Sequence, residues 1–411
     1  MIYRRLHKAI EKIVSRHYES VLEMLQAVIN EIISNEIIKI TGGRIWELET
    51  SDSSYQLVFQ TGKMDRISKD FKVFIKDYPL FGRFATERTI LGDETNKTLR
   101  KKGIWKYSAT GIGNRVRLNG STYYEYLLAF NSADLHEENK YLLNIIGSVL
   151  TSKIKQWESA KTERNLKAEL DKARQLQKSI LPQHEFVFGS YQMYGVTIPA
   201  EIVGGDFFDY LHVGDDKIRI GVALGDAASK GVSAAAEAMY ISGALRMASQ
   251  FEIKIPLLMK RMNQLVNKIF GDEKFSSLFY GELSNEQKGL FLYSNAGHNP
   301  PMFYKAKTKE IIYLDPTGPV LGPAPKAVYS IESVNFESGD VLCIYSDGLT
   351  ESSGADSEAF GEERLLEILK NTVQEDSKTI CLTILDNVMK FCKDGEYNDD
   401  KTVVIIKRNV I

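Results

Sequence analysis

The chain has only three cysteines in 411 residues, Cys343, Cys381 and Cys392. Their odd number, wide separation and lack of metal-ligand spacing exclude a disulfide framework and a structural zinc site, so a reducing cytoplasm is the expected setting. An excess of charge of either sign is missing as well. Fifty-two lysines and arginines face 54 acidic residues, a net charge of −2, so no overall field draws a polyanion and nucleic acid is not the expected partner. No apolar run approaches the ~20 residues that cross a bilayer; the longest, 234–248, is broken by Glu237 and Arg246. The opening MIYRRLHKAI lacks the apolar core and cleavage site of a secretory signal. What remains is an ordinary globular composition, 43% apolar and 26% charged, in a chain long enough for two or three domains with cores of their own.

Apolar residues recur three or four apart from Ile2 to Ile33, the pattern of an amphipathic helix. After Gly42-Gly43 the texture turns to β. The runs RIWELE (44–49) and YQLVFQ (55–60) read as one hairpin, and RVRL (115–118) with TYYEYLLAF (122–130) as another, turned at Asn119-Gly120, where both residues tolerate positive φ. A second helical stripe, Leu143, Ile146, Leu150, Ile154 and Trp157, passes through the charged KTERN (161–165). It resumes at Leu166, Leu170, Ala173, Leu176 and Ile180 and stops at Pro182. One helix over about 137–181 is expected, long enough to be a coiled-coil linker pairing two copies of the chain in a homodimer. The organisation is thus α+β: an N-terminal domain over 1–150, a helical linker over 137–182 and a C-terminal domain over 183–411.

In the C-terminal domain, aspartates sit beside glycine at strand ends. Gly205-Asp206 precedes FFDYLHV, the strand IRIGVAL runs into Gly225-Asp226, VLCIYS runs into Asp347-Gly348, and Asp399-Asp400 precedes TVVII. An apolar strand fixes the position of its terminal residue and glycine lets backbones approach. Carboxylates from separate strands then converge on hard divalent cations, although one Gly-Asp pair alone is an ordinary turn.

As an ordered set, GGDFFDY (204–210), GDAASKG (225–231), YSNAGHNPP (293–301), GDVLCIYSDGLTE (339–351), FGEERL (360–365) and NDDKTVVII (398–406) resemble the RsbU/SpoIIE-type bacterial serine/threonine protein phosphatases of the metal-dependent PPM superfamily. QLQKSILPQ (175–183) is similar to their lead-in, and the N-terminal domain is similar to a GAF sensor. The resemblance implies an α-β-β-α sandwich with two divalent metal ions, Mn²⁺ or Mg²⁺, at one end. Asp226 would bridge both ions, the Ala227 carbonyl and Asp347 would hold one, Asp399 the other, and Asp206 would ligate directly or through water. The implied substrate is a phosphorylated anti-sigma factor antagonist, under control of a small-molecule or protein signal at the GAF-like domain.

Two departures from that pattern stand out. Ser229 occupies a usual glycine position, which predicts strain if the backbone there takes positive φ. The NDD run also offers Asp400 beside Asp399 as the ligand. Competing readings are a catalytically inactive phosphoprotein binder, and a diguanylate-cyclase-like enzyme suggested by GGDFF, in which Phe207 stands where an acidic residue would be needed. His298 reads as a turn residue rather than a general acid.

Overall fold

A computed structural model describes residues 10, 12, 15–34, 40–94, 97–101, 104–132, 137–215, 218–270, 274–284, 288–354, 358–392 and 399–409. The chain divides into two compact units, Met1–Asn165 and Leu166–Ile411.

The N-terminal unit is one antiparallel sheet. Strands β1 (Ile40–Glu49), β2 (Ser54–Gly62), β3 (Lys72–Phe74), β4 (Thr89–Asp93), β5 (Lys106–Leu118) and β6 (Ser121–Ser132) lie in the order β3-β2-β1-β6-β5-β4. Both expected hairpins form, β1 with β2 and β5 with β6. The second turns through Asn119 and Gly120 at φ 49° and 82°, which matches the twist of the strands it joins. One face of the sheet, with Ile45, Ile112, Leu128 and Phe130, is covered by Leu25, Val28 and Ile32 of helix α1 (Val21–Ser34) and by Leu143, Ile146, Leu150 and Ile154 of helix α2 (Glu137–Ile180). The opposite face carries an aromatic cluster around Trp46, Tyr55, Phe81 and Tyr124.

The continuous helix expected over 2–33 does not form. Residues 15–20 are not helical and α1 begins at Val21; residues 1–9 lie outside those described. The cause is local. Ser20 Oγ accepts the Glu23 N–H at 3.1 Å while the Glu23 carboxylate accepts the Glu19 N–H at 2.8 Å, a capping arrangement that starts a new helix inside an unbroken apolar period. The long stripe from 143 to 180, by contrast, is one helix of 44 residues.

The C-terminal unit is a two-sheet sandwich. One sheet has the order β15-β12-β11-β10-β9, built from β9 (Phe207–Val213), β10 (Arg219–Ala227), β11 (Ser276–Ser284), β12 (Leu290–Ala296) and β15 (Glu332–Asn335). The other has the order β14-β13-β16-β17-β8-β7, from β7 (Glu185–Phe188), β8 (Tyr191–Ile198), β13 (Met302–Lys305), β14 (Glu310–Tyr313), β16 (Val341–Tyr345) and β17 (Lys401–Arg408). Alternate side chains of the two sheets meet in a dry layer, with Phe208, Val222, Leu224, Phe279 and Phe291 against Met193, Phe303, Leu342, Ile344 and Val404. The outer faces are closed by helices, α3 (Gly231–Ser249) and α4 (Ile255–Phe270) on the first sheet, α5 (Gly361–Thr372) and α6 (Ser377–Phe391) on the second. The layering is therefore α-β-β-α. Leaving α2 by Pro182, the chain enters β7 and β8 and reaches the end of the sandwich at the loop before β9.

Candidate active site

Four strands deliver carboxylates to that end. Asp206 directly precedes β9, Asp226 is the penultimate residue of β10, Asp347 opens a single helical turn (Asp347–Thr350) after β16, and Asp399 lies two residues before β17. Asp226 is at the centre of the group. Burial and the charges of Asp347 and Asp399 push its carboxyl up to about 7, against a side-chain hydrogen bond with Asp206. Burial, then Asp399 and Glu351, raises Asp347. Burial, then Asp226 and Asp400, raises Asp206 well above the carboxylate range. Among the described residues no group of three or more acidic, histidine or cysteine side chains is already gathered as a metal site; the carboxylates are linked through pairwise influences, with Asp226 acted on by Asp347, Asp399 and Asp206.

Asp206 is 1% exposed, the nearby Thr402 and Ser346 side chains partly offset the rise of its carboxyl, and its Oδ2 is buried with no hydrogen-bond partner. A buried carboxylate oxygen left in this state is costly unless something else meets it, and carboxylate oxygens are what a hard divalent cation takes. The residues present fit such an ion. Two glycines shape the approach. A Cβ on Gly205 would stand 2.9 Å from the Ala227 carbonyl oxygen, and one on Gly204 would stand 2.3 Å from the Asp400 carboxylate, so the Gly204-Gly205 backbone lies against both.

The two adjacent aspartates do different work. Asp400 is buried; its Oδ1 accepts the Ala200 N–H at 2.7 Å and its Oδ2 accepts the Gly205 and Asp206 N–H groups at 2.5 and 3.1 Å. It clamps the 200–206 loop to the start of β17. Asp399 is exposed, accepts the Asp400 N–H at 2.9 Å, and lines a cleft of about 280 Å³ together with Glu201, Ser229 and Lys230.

Several site residues escaped the sequence reading. Gln177, near the end of α2, donates to the Gly204 carbonyl at 2.6 Å and accepts the Gly204 N–H at 3.2 Å, so the helix is tied to the loop that carries Asp206. Arg246 pairs with the buried Asp209 at 2.5 Å and also donates to the Ile180 carbonyl, closing the end of α2. Gln177 lies five residues before the proline stop, a weak cue, whereas nothing local to Arg246 in the sequence marks its partners. Ser229 is not strained, because it is absent from the residues at positive φ; Gly231 supplies that conformation at φ 63°. Its hydroxyl donates to buried Glu237 at 2.8 Å, which Lys274 also pairs with, so the serine anchors the loop after β10 to α3.

Other chemistries lose their candidates. Burial pushes Cys343 and Cys381 up, the latter to about 12, so neither offers a thiolate. His298 is 3% exposed with Nδ1 on the Ser277 hydroxyl at 2.8 Å, and burial lowers it to about 4; it stays neutral as a packed residue. Phe207 is buried under α3 and α4 in β9, which removes the cyclase reading of GGDFF.

The raised carboxyls give a pH prediction. A group whose carboxyl is raised on folding favours the fold while protonated, and that stability is lost as pH climbs from the unfolded value near 4 through the folded one near 7. The EDTA-treated chain should therefore melt at lower temperature at pH 8 than at pH 5.5, and Mn²⁺ should remove most of the difference. A melting temperature that is flat or rises with pH without metal contradicts the assignment.

Residues 216–409 match the family model of stage II sporulation protein E (SpoIIE). The phosphoserine phosphatase RsbU of Bacillus subtilis (strain 168) is 26% identical over 252 residues, 60% of this chain and 72% of that protein. Protein IcfG of Synechocystis sp. (strain ATCC 27184 / PCC 6803 / Kazusa) is 29% identical over 299 residues, 66% of this chain; the chain spans 45% of IcfG. The SiaA-PP2C domain of Pseudomonas aeruginosa superposes with a TM-score of 0.52 at 16% identity, over 60% of this chain and 99% of that domain, a likeness of fold.

Proposed function

We propose, on the premise that the C-terminal unit is a SpoIIE-type phosphatase domain of the metal-dependent PPM superfamily, that this chain hydrolyses phosphoserine or phosphothreonine in a protein substrate. The observation that carries the reading is the set of mutually interacting carboxylates round Asp226 together with the buried, orphaned Asp206 oxygen. Asp226 would be shared by two divalent cations, Mn²⁺ or Mg²⁺; the Ala227 carbonyl and Asp347 would hold one, Asp399 the other, with Asp206 ligating directly or through water. When bound, such ions activate water for in-line attack on phosphorus and hold the phosphoryl oxygens. The chain's own contribution is positioning. Asp400 fixes the Gly205–Asp206 backbone, Ser346 ties the start of β17 through the Asp400 carbonyl and the Thr402 N–H, and Lys230 lines the cleft in which a phosphoryl group would sit.

The substrate that suits an RsbU-like phosphatase is a phosphorylated anti-sigma factor antagonist, and the N-terminal unit, GAF-like in our reading, would adjust the rate in response to a signal. The Gln177 link supports α2 as the element that bears on the site. Leu166 and Leu176, 60% and 57% exposed, leave an apolar stripe on α2 that supports pairing of two copies. The test is hydrolysis of the phosphorylated antagonists encoded in the same genome, with Mn²⁺, with Mg²⁺ and with EDTA. Phosphate release that needs the metal is expected. Binding of the phosphoprotein without turnover under every metal condition would favour the inactive binder instead.

A further inference from the structure

The N-terminal unit carries a pocket open to solvent, with about 600 Å³ of empty space including the solvent at its mouth. Its lining residues Arg44, Trp46, Leu127 and Ala129 alternate with the Ile45, Leu128 and Phe130 that face α1 and α2, so it lies on the opposite face of the sheet. The hollow has a plain cause. Ala109 and Ala129 are direct partners on β5 and β6, and Ala129 pairs with Arg44 on β1; two small side chains in the middle of the face leave the floor low. The wall comes from the two 3₁₀ turns Ile75–Asp77 and Pro79–Ala85, where the Tyr78 and Phe81 rings stand 4.8 Å apart and Phe81 is 4.8 Å from Tyr55.

One end of this apolar space carries a buried cation. Arg44 is 1% exposed; Nη1 donates to Asn131 Oδ1 at 3.0 Å, Nη2 to the Asp65 carbonyl at 2.9 Å, and Nε has no partner. Burial lowers it to about 10, against the charge of the exposed Asp65, so it remains protonated at neutral pH. Both its acceptors are neutral, and a guanidinium in that setting is poorly compensated until an anion reaches it. Glu94 also lines the cavity, accepting the Tyr78 hydroxyl at 2.8 Å. It follows β4, three strand spacings from β1 or about 14 Å, and disfavours a second negative charge at that end.

We propose that this cavity binds a small aromatic monocarboxylate, its carboxylate on the Arg44 guanidinium and its ring between the Ala109–Ala129 floor and the Tyr78–Phe81 wall. A single carboxylate matches one unsatisfied N–H in an apolar surround; a phosphate would need several further donors. The inference is independent of the phosphatase reading because it is read by direct binding.

The experiment titrates the full chain calorimetrically with benzoate, 2-naphthoate and indole-3-acetate, and with 2-naphthamide as the uncharged counterpart. At least one acid should bind, 2-naphthamide should bind at least tenfold more weakly than 2-naphthoate, and Arg44→Gln should weaken the acid by about tenfold or more, as loss of a charge-assisted hydrogen bond dictates. Ala109→Leu, which fills the floor without removing the charge, should abolish binding while the chain melts normally, and it decides the matter should Arg44→Gln not fold. No binding of any of the three acids, equal binding of acid and amide, or unchanged binding to Ala109→Leu overturns the proposal.

Discussion

Asp226→Asn and Asp347→Asn should each lower metal-dependent phosphoserine hydrolysis by about 10²–10⁴-fold, since on the proposed reading each removes an anionic ligand worth several kcal/mol from a site where cations would carry the developing charge. The same substitutions should not harm the fold. Burial, with repulsion from Asp347 and Asp399, is what raises the Asp226 carboxyl to about 7, so a neutral amide relieves the metal-free chain. Melting in EDTA at pH 8 should therefore be unchanged or higher for Asp226→Asn, while the wild-type gain on adding Mn²⁺ should shrink. That split separates a ligand from a structural aspartate. Full turnover in both variants, or hydrolysis by the wild-type chain that survives EDTA, would remove the basis of the assignment.

Asp399→Asn and Asp400→Ala, one residue apart, should fail in opposite ways. Asp399 is exposed and its single described backbone bond, from the Asp400 N–H at 2.9 Å, is one an asparagine oxygen keeps; stability should move by less than about 0.5 kcal/mol while turnover falls and more Mn²⁺ is needed. Asp400 accepts from the backbones of Ala200, Gly205 and Asp206. Removing its carboxylate leaves the Gly205 and Asp206 donors buried without an acceptor, at a cost of about 2–4 kcal/mol, read as a lower urea midpoint of the C-terminal unit. Turnover should fall there too, through displacement of Asp206, and excess Mn²⁺ should not restore it. If Asp400→Ala unfolds at the wild-type midpoint and is rescued by Mn²⁺, the roles of the two residues are exchanged.

Much of this architecture can be read along the chain because its cues are short-range. Period-two and period-3.6 patterns, with Asn119-Gly120 and Pro182 as punctuation, are enough to place both N-terminal hairpins and the long helix. The four carboxylates are equally visible, since each is an aspartate next to glycine or at the border of an apolar strand, and strand ends of a sandwich collect at its edges. Where local cues compete, the reading fails. The Leu6 to Ile32 stripe is unbroken in periodicity, yet the Ser20–Glu23 cap divides it, because two side-chain bonds to backbone donors outweigh a pattern that only says which face is apolar.

Other features depend on residues far apart in the chain and carry no local trace. Asp399 and Asp400 are indistinguishable in NDDKT; they differ because the 200–206 loop packs against β17 and its N–H groups point at one of them, across about two hundred residues of intervening chain. Gln177 is one polar residue among many on a solvated helix until Gly204 is brought beside it. Ser229 reads as a strained substitution until Glu237 and the positive φ of Gly231 show how the loop accommodates it. Arg44, alternating with apolar neighbours in a strand, has the pattern of a surface residue; it is buried because Asn131 and the Asp65 carbonyl take its guanidinium, and the paired alanines leave it lining a hollow. Hydrophobic period and turn chemistry act between neighbours and so survive in a one-dimensional string, whereas the burial and hydrogen-bond partners of a charged or polar side chain are set by whichever distant segment arrives, and exist only once the chain has packed.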